Sequence, residues 1–217
     1  DVEKVSLTIP EGFSQEQIFA RIDELGFGNR RQLKKLSSDK EFIHSLGIDA
    51  SSLEGYLYPE TYVFTPGIDE RKLLQMMTAQ FKKKITLALI TKDKTLKLNL
   101  HQLVTLASII EKETGKVEEM ALISSVFHNR LARGIQLQTD PTVIYGIDNF
   151  DGNLTRKHLK TKTPYNTYMI RGLPPGPIAS PGLAALQAAA TPAKSKYLYF
   201  VAKGDGFHQF SKTLKEH

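Results

Sequence analysis

The segment from Leu100 to Thr114 constrains the fold more than any other part of the chain, because it is an apolar stretch with helical periodicity that ends in acidic residues. Asn99 is suited to cap its start and Gly115 to end it. At about 100° per residue, Glu111 and Glu113 continue opposite flanks of this helix, roughly 160° apart. Each carboxyl therefore borders apolar surface. Leu100, Val104 and Ala107 lie in line with Glu111, and Leu106, Ile109 and Ile110 flank Glu113.

The separation of the two carboxyls favours chemistry carried by one acid at a time. Groups on opposite flanks of a helix cannot bracket one glycosidic bond, as the paired carboxylates of ordinary glycosidases do. A carboxyl held against apolar side chains has a raised pKa and can protonate a leaving oxygen. The alternative is that Glu111 and Glu113 are exposed residues at a helix end, with Lys112 and Lys116 as charged neighbours.

Three later connections are rich in amides, hydroxyls and phenols: 137–146, 165–168 and 172–178. Amides, hydroxyls and carboxyls can hydrogen-bond sugar hydroxyls or an acetamido group, and phenol rings can pack on a pyranose. The candidates are Gln138, Thr139, Asp140, Tyr145, Tyr165 and Tyr168. The alternatives are that Asp140 is a helix cap, that Asn166 is a turn residue and that the tyrosines belong to the core. The absence of Trp weakens an argument for sugar binding from composition alone.

Composition and missing motifs exclude several classes of function. The chain has no Cys, no metal-ligand spacing among its six His and no G-x-S-x-G turn, so we expect no metal, no cofactor and no hydrolase triad. The net charge of +6 favours anionic partners, but no basic motif interleaved with aromatics indicates nucleic-acid binding. No apolar run is long enough to span a membrane, so we expect the chain as given to be soluble.

The order of predicted elements indicates an α+β protein. Residues 1–50 predict a strand, a helix from Ser14 and two shorter helices, which together form a small N-terminal βα subdomain, with a LysM-like arrangement as one interpretation. Residues 51–217 predict a catalytic domain of helices with a short mixed sheet. It should begin with a strand-like segment at 54–64, a helix after Asp69 and a loop at 91–97. Four helices should follow: the Leu100 helix, one at 117–133, one that starts at Asp140 and one at 182–190. A hairpin of 197–201 with 207–210 should end the domain.

Several motifs in sequence order carry a resemblance to a known family. They are EGYLYPETY from Glu54, ASIIEKET from Ala107, FHNRL from Phe127, LQTDPTVIYG from Leu137, YNTY from Tyr165, GLPPGPI from Gly172 and YLYFVAKGDG from Tyr197. In this respect residues 54–217 resemble the YceG-like family of endolytic murein transglycosylases. The first fifty residues match it only loosely.

The resemblance implies an activity and a site. The family cleaves the β-1,4 bond between N-acetylmuramic acid and N-acetylglucosamine in peptidoglycan glycan strands and leaves 1,6-anhydro ends, without hydrolysis. It implies that Glu111, the first Glu of EKET, is the catalytic acid and then the base for the C6 hydroxyl. It also implies that a set of motif residues lines the same substrate-binding cleft: Glu113, Gln138, Thr139, Asp140, Tyr165, Asn166 and Tyr168.

The same resemblance implies a cellular setting. Family members have an N-terminal transmembrane anchor, lie on the periplasmic or outer face of the bacterial inner membrane and act near peptidoglycan synthases, the penicillin-binding proteins. No anchor is found in this chain, so it resembles an excised soluble portion. The alternatives are a non-catalytic peptidoglycan-binding module that positions synthases, a muramidase-type hydrolase and a nucleic-acid binder.

Overall fold

The structure is a computed structural model that describes residues 1–90 and 92–217, and within them it has nine helices and four strands. This confirms the predicted α+β class. The helices are α1 Gln15–Glu24, α2 Arg30–Leu36, α3 Lys40–Ser45, α4 Glu70–Ile90, α5 Leu100–Glu113, α6 Val117–Ala132, α7 Asp140–Tyr145, α8 Arg156–Lys160 and α9 Leu183–Ala190. The strands are β1 Val5–Thr8, β2 Thr61–Phe64, β3 Tyr199–Ala202 and β4 His208–Ser211.

The three N-terminal helices begin at residues whose side chains cap them. Ser14 accepts a hydrogen bond from the Gln17 amide in a reciprocal capping box, and Asn29 and Asp39 accept equivalent bonds at α2 and α3. These caps satisfy amides that have no partner inside a helix. The N-terminal helices were therefore predictable from local chemistry.

The strands form two separate antiparallel pairs. β1 pairs with β2 in a register that sets Val5 opposite Phe64, and β3 pairs with β4 in a register that sets Ala202 opposite His208. The sheets are thus two short antiparallel ribbons, where the sequence suggested one mixed sheet. The first ribbon joins residues on both sides of the predicted boundary near Ser51, and the division into 1–50 and 51–217 stays a prediction.

The centre of the fold is the pair formed by α5 and α9. Every residue of α5 from Leu103 to Ile110 is buried, and the small side chains of the Ala-rich α9 let the two helices pack closely. Burial of each large aliphatic side chain contributes about 1.5–3 kcal/mol, so the position of α5 is strongly fixed. Its C-terminal end, which carries both candidate acids, is held just as firmly.

Element boundaries differ from the predictions in three places. Thr139, not Asp140, occupies the cap position of α7, and Asp140 is the first helical residue. The strand-like segment 54–64 is a strand only from Thr61, and the short helix α8 was not predicted although Thr155 caps it. Of the predicted loop 91–97, residues 92–97 contain no helix or strand, and Thr91 lies outside the described residues.

Candidate active site

A cleft of about 520 Å³ opens beside the C-terminal end of α5. Its size lies in the range of ordinary ligand sites. Its walls come from α5, α6, the loop before α7, the 165–168 turn and the β3–β4 hairpin. Its polar lining includes Glu113, Arg130, Gln138, Asp140, Tyr168 and His208, and the wall from Leu198 to Ala202 adds two aromatic rings, Tyr199 and Phe200.

Glu113 is the carboxyl that α5 presents to this cleft. Its Oε1 accepts a hydrogen bond from the Thr139 hydroxyl. Burial raises the pKa of Glu113, the Thr139 bond opposes this rise and the nearby Asp140 carboxylate adds to it, with a raised pKa as the net result. A partly buried carboxyl with a raised pKa is suited to give a proton to a bound substrate.

Asp140, at the start of α7, and Tyr168 are joined by a hydrogen bond at the wall of the cleft. The Tyr168 hydroxyl donates a hydrogen bond to Asp140 Oδ1 at 2.7 Å. Gln138 is in the left-handed region, with φ of 52°, and its amide donates to the Thr167 carbonyl. A non-glycine residue in this region is strained, and such strain often accompanies a functional position. The structure therefore brings Gln138, Asp140 and Tyr168 together with Glu113. Their role in substrate binding stays a prediction.

Glu111 is not among the residues that line this cleft. Its Oε2 accepts a hydrogen bond of 2.9 Å from the backbone amide of Gly182, which is the cap residue of α9. Burial raises the pKa of Glu111, the Gly182 bond lowers it, and the Glu11 carboxylate raises it. The raised pKa is therefore shared by both acids, and only their positions distinguish them. The role of Glu111 as the catalytic acid stays a prediction.

Tyr165 and Asn166 lie away from the cleft. Tyr165 packs against Tyr145, with ring centroids 4.7 Å apart, and lines a small separate cavity together with Glu54. Asn166 is fully buried, and its Nδ2 donates to three backbone carbonyls, those of His158, Leu159 and Thr161. The predicted substrate-binding role of these two residues is untested, and their contacts here are internal to the protein.

Replacement of Asn166 by Ala should make the 158–168 segment easier to unfold. The carbonyls of Leu159 and Thr161 would lose this donor, while that of His158 still accepts from the Thr161 amide. Each unsatisfied group costs about 1–3 kcal/mol, so we expect a loss of about 2 kcal/mol or more in the free energy of unfolding. Urea denaturation of both proteins measures this. Asn153→Ala, at an exposed turn, is the control, and an equal small loss in both would contradict the structural role of Asn166.

Two cleft residues were not predicted from the sequence as site residues. Arg130, in the FHNRL motif, donates to the carbonyls of Leu198, Gln136 and Leu137, and its guanidinium lies 5.0 Å from the centre of the Tyr199 ring. His208 begins β4 and contacts Glu119 of α6. The motif around Arg130 was visible in the sequence, but the approach of His208 depends on contact between residues 89 positions apart.

Across residues 1–90 and 92–217, no group of three or more His, Asp and Glu side chains is arranged to hold a metal ion. Over the same residues, no helix combines the length and the apolar character that a bilayer crossing needs.

Known proteins resemble this chain in both sequence and structure. The model of the YceG-like family matches residues 1–217. A Bacillus subtilis protein named endolytic murein transglycosylase is 38% identical over 226 residues, which cover 97% of this chain and 62% of that protein. A Streptococcus pneumoniae protein of the same name is 34% identical, over 91% of this chain and 40% of its own length. The chain thus spans less than two thirds of the length of these relatives.

A solved structure shares the fold. The crystal structure of a yceG-like protein from Listeria monocytogenes superposes with a TM-score of 0.82 at 36% identity, covering 98% of this chain and 74% of that one. The arrangement of helices that sets Glu113 in its cleft therefore belongs to a fold already known for this family. Since the family model, two relatives and a solved structure agree over almost the whole chain, the protein belongs to the YceG-like family.

Proposed function

We propose that this chain is the catalytic part of an endolytic murein transglycosylase. The observation that carries the proposal is Glu113, a partly buried carboxyl with a raised pKa in a cleft that also holds Gln138, Asp140 and Tyr168. The names of the relatives support the same activity. The substrate is the peptidoglycan glycan strand, cleaved between N-acetylmuramic acid and N-acetylglucosamine.

The proposed reaction needs one carboxyl. Protonated Glu113 gives its proton to the glycosidic oxygen, and the bond from that oxygen to C1 of the muramic residue breaks. The C6 hydroxyl oxygen of the same residue bonds to C1, and its proton passes to the Glu113 carboxylate. The acid is thereby restored, no water is consumed, and the product has a 1,6-anhydro end.

In this proposal Glu113 takes the role that the family resemblance implies for Glu111, because Glu113 lines the 520 Å³ cleft and contacts Thr139. Glu111 accepts a hydrogen bond from Gly182 and lies beside Gly12, which lines a second cavity of about 510 Å³. Its role as the catalytic acid stays a prediction, and the Glu113→Gln and Glu111→Gln variants decide between the two carboxyls. The Thr139 hydroxyl favours the ionised form of Glu113. It thereby assists the first half of the reaction, in which Glu113 gives up its proton.

The remaining cleft residues have binding roles in this proposal. The linked Tyr168 and Asp140 side chains form a polar edge that can hydrogen-bond sugar hydroxyls or an acetamido group, and the rings of Tyr199 and Phe200 offer apolar faces for a pyranose. The inner-membrane location and the synthase partners follow from the family resemblance. Fractionation and crosslinking of the full-length protein in cells would test both.

Digestion of purified sacculi tests the proposed activity. We expect the chain to release fragments with 1,6-anhydro ends, which mass spectrometry separates from reducing ends by the mass of one water. Reducing ends would indicate a muramidase-type hydrolase and would contradict the proposal. Binding to sacculi with no product at any pH would instead indicate a module that positions synthases.

A further inference from the structure

The imidazole of His208 lies on the wall of the cleft and is held from behind by a carboxylate. Its Nδ1 is 2.8 Å from Oε2 of Glu119, and its backbone amide donates to the other oxygen of the same carboxyl at 2.9 Å. The side chains of His208 and Glu119 are only 9% and 12% exposed. The Glu119 carboxylate therefore holds both the start of β4 and the imidazole ring of His208 in place.

The state of Glu119 determines which ring nitrogen carries the proton. Burial by itself would raise the pKa of Glu119, but the hydrogen bonds from the His208 ring and amide outweigh it and hold the pKa below its ordinary value. Glu119 is therefore ionised at neutral pH and can only accept, so Nδ1 of His208 must be the donor. In the neutral imidazole this leaves Nε2 as a hydrogen-bond acceptor.

Because Nδ1 is bonded to Glu119, Nε2 is the ring nitrogen that can bond a ligand in the cleft. Throughout residues 1–90 and 92–217, no hydrogen bond to Nε2 of His208 is formed. The ring packs edge-on against Phe200, with the two ring centroids 5.4 Å apart. Nε2 is not one of the buried atoms that lack a partner, and His208 lines the cleft. The nitrogen is therefore open to the cleft, where a ligand group can reach it.

We propose that His208 is a further substrate-binding residue, whose Nε2 accepts a hydrogen bond from a hydroxyl or acetamido N–H group of the bound glycan, and that Glu119 is its positioning residue. This inference rests on the proposed function, because the ligand is the glycan of the same cleft. In catalytic triads a carboxylate orients the histidine in the same way, because its hydrogen bond fixes the tautomer and the angle of the imidazole ring. His208 thus contributes to the recognition of the substrate and Glu113 to its chemistry.

Nitrogen NMR of the whole chain tests the proposal directly. The Glu113→Gln variant, which should bind without cleaving, is labelled with ¹⁵N at histidine and titrated with uncrosslinked glycan strands. At a pH where the histidine rings are neutral, we expect Nε2 of His208 to be the unprotonated ring nitrogen and its signal to shift on binding. The signal of His128, whose Nε2 is bonded to the Ala189 carbonyl, should stay unchanged. A protonated Nε2 before addition, or no shift at saturation, would overturn the proposal.

Kinetics of wild type and variants supply a second measurement. His208→Phe keeps the ring that packs on Phe200 but removes Nε2, so KM should rise about tenfold, the value of one lost hydrogen bond, with a smaller change in kcat. Glu119→Gln should raise KM by less than His208→Phe does. In the double variant it should cause no further rise in KM, because the ring nitrogen that Glu119 positions is already absent. A purely structural role predicts instead a lower melting temperature with unchanged KM, and that result would refute binding by His208.

The outcomes separate this inference from the proposed function. If Glu113→Gln abolishes anhydro products while the His208 variants keep a normal KM, the role of His208 is wrong and the function stands. If wild type makes no anhydro product but Nε2 still shifts with glycan, His208 binds glycan and the catalytic proposal is wrong.

Discussion

Glu113→Gln is expected to lower the rate of anhydro-end release by about 10²–10⁴-fold, which is the usual contribution of a general acid and base. The amide has nearly the same shape as the carboxyl and can still accept the hydrogen bond from Thr139. It cannot give a proton to the glycosidic oxygen. The rate is measured by mass spectrometry of digested sacculi, with circular dichroism to show that the variant is folded.

Glu111→Gln is the matched comparison, on the same helix and only two residues away. Its amide oxygen can still accept the bond from the Gly182 amide. In a reaction carried by Glu113 the rate should stay within a few-fold of wild type, because Glu111 does not line that cleft. Loss of activity in Glu111→Gln with activity kept in Glu113→Gln would reverse the assignment and support the role that the family resemblance implies.

Glu54→Gln is expected to change the pH dependence of stability by about 3 kcal/mol. Glu54 is 3% exposed, and its Oε2 accepts a hydrogen bond of 2.7 Å from the Gln15 amide at the start of α1. Burial raises the pKa of Glu54 from 4.5 to about 7, although the bonds from Gln15 and Tyr145 oppose the rise. This carboxyl therefore links the N-terminal helix, the 54–64 segment and α7.

The sign of the effect follows from the raised pKa. Between pH 4.5 and about 7 the unfolded chain has lost the Glu54 proton while the folded chain keeps it. The free energy of unfolding therefore falls as the pH rises through this window, by about 1.4 kcal/mol per unit from this residue. In Glu54→Gln the side chain is neutral at every pH, so this fall is removed.

Urea denaturation of wild type and Glu54→Gln at pH 5 and pH 8 measures the difference. We expect the variant to gain stability relative to wild type as the pH rises, since other titrating groups are common to both proteins. Glu3→Gln, at an exposed carboxyl, is the control and should follow wild type at both pH values. Parallel pH curves for wild type and Glu54→Gln would contradict the raised pKa.

Much of the helical structure was predictable, because the information that sets it is local. Asn99 caps α5 and Asp69 precedes α4, and both helices carry apolar residues at helical spacing. The five-residue α8 was missed because its cap, Thr155, precedes a basic stretch with no buried residue. Local caps can be recognised in a sequence, but without an apolar face they give too weak a signal for a helix.

The sequence alone established that Glu111 and Glu113 lie on opposite flanks of one helix, which follows from helical geometry. It did not establish which flank meets the cleft. That depends on partners far along the chain, since Thr139 contacts Glu113 while Gly182 contacts Glu111. The same holds for Tyr165 and Tyr168, whose neighbours Tyr145 and Asp140 differ although they belong to one motif. Periodicity fixes directions around a helix axis, whereas only long-range packing decides what lies in each direction.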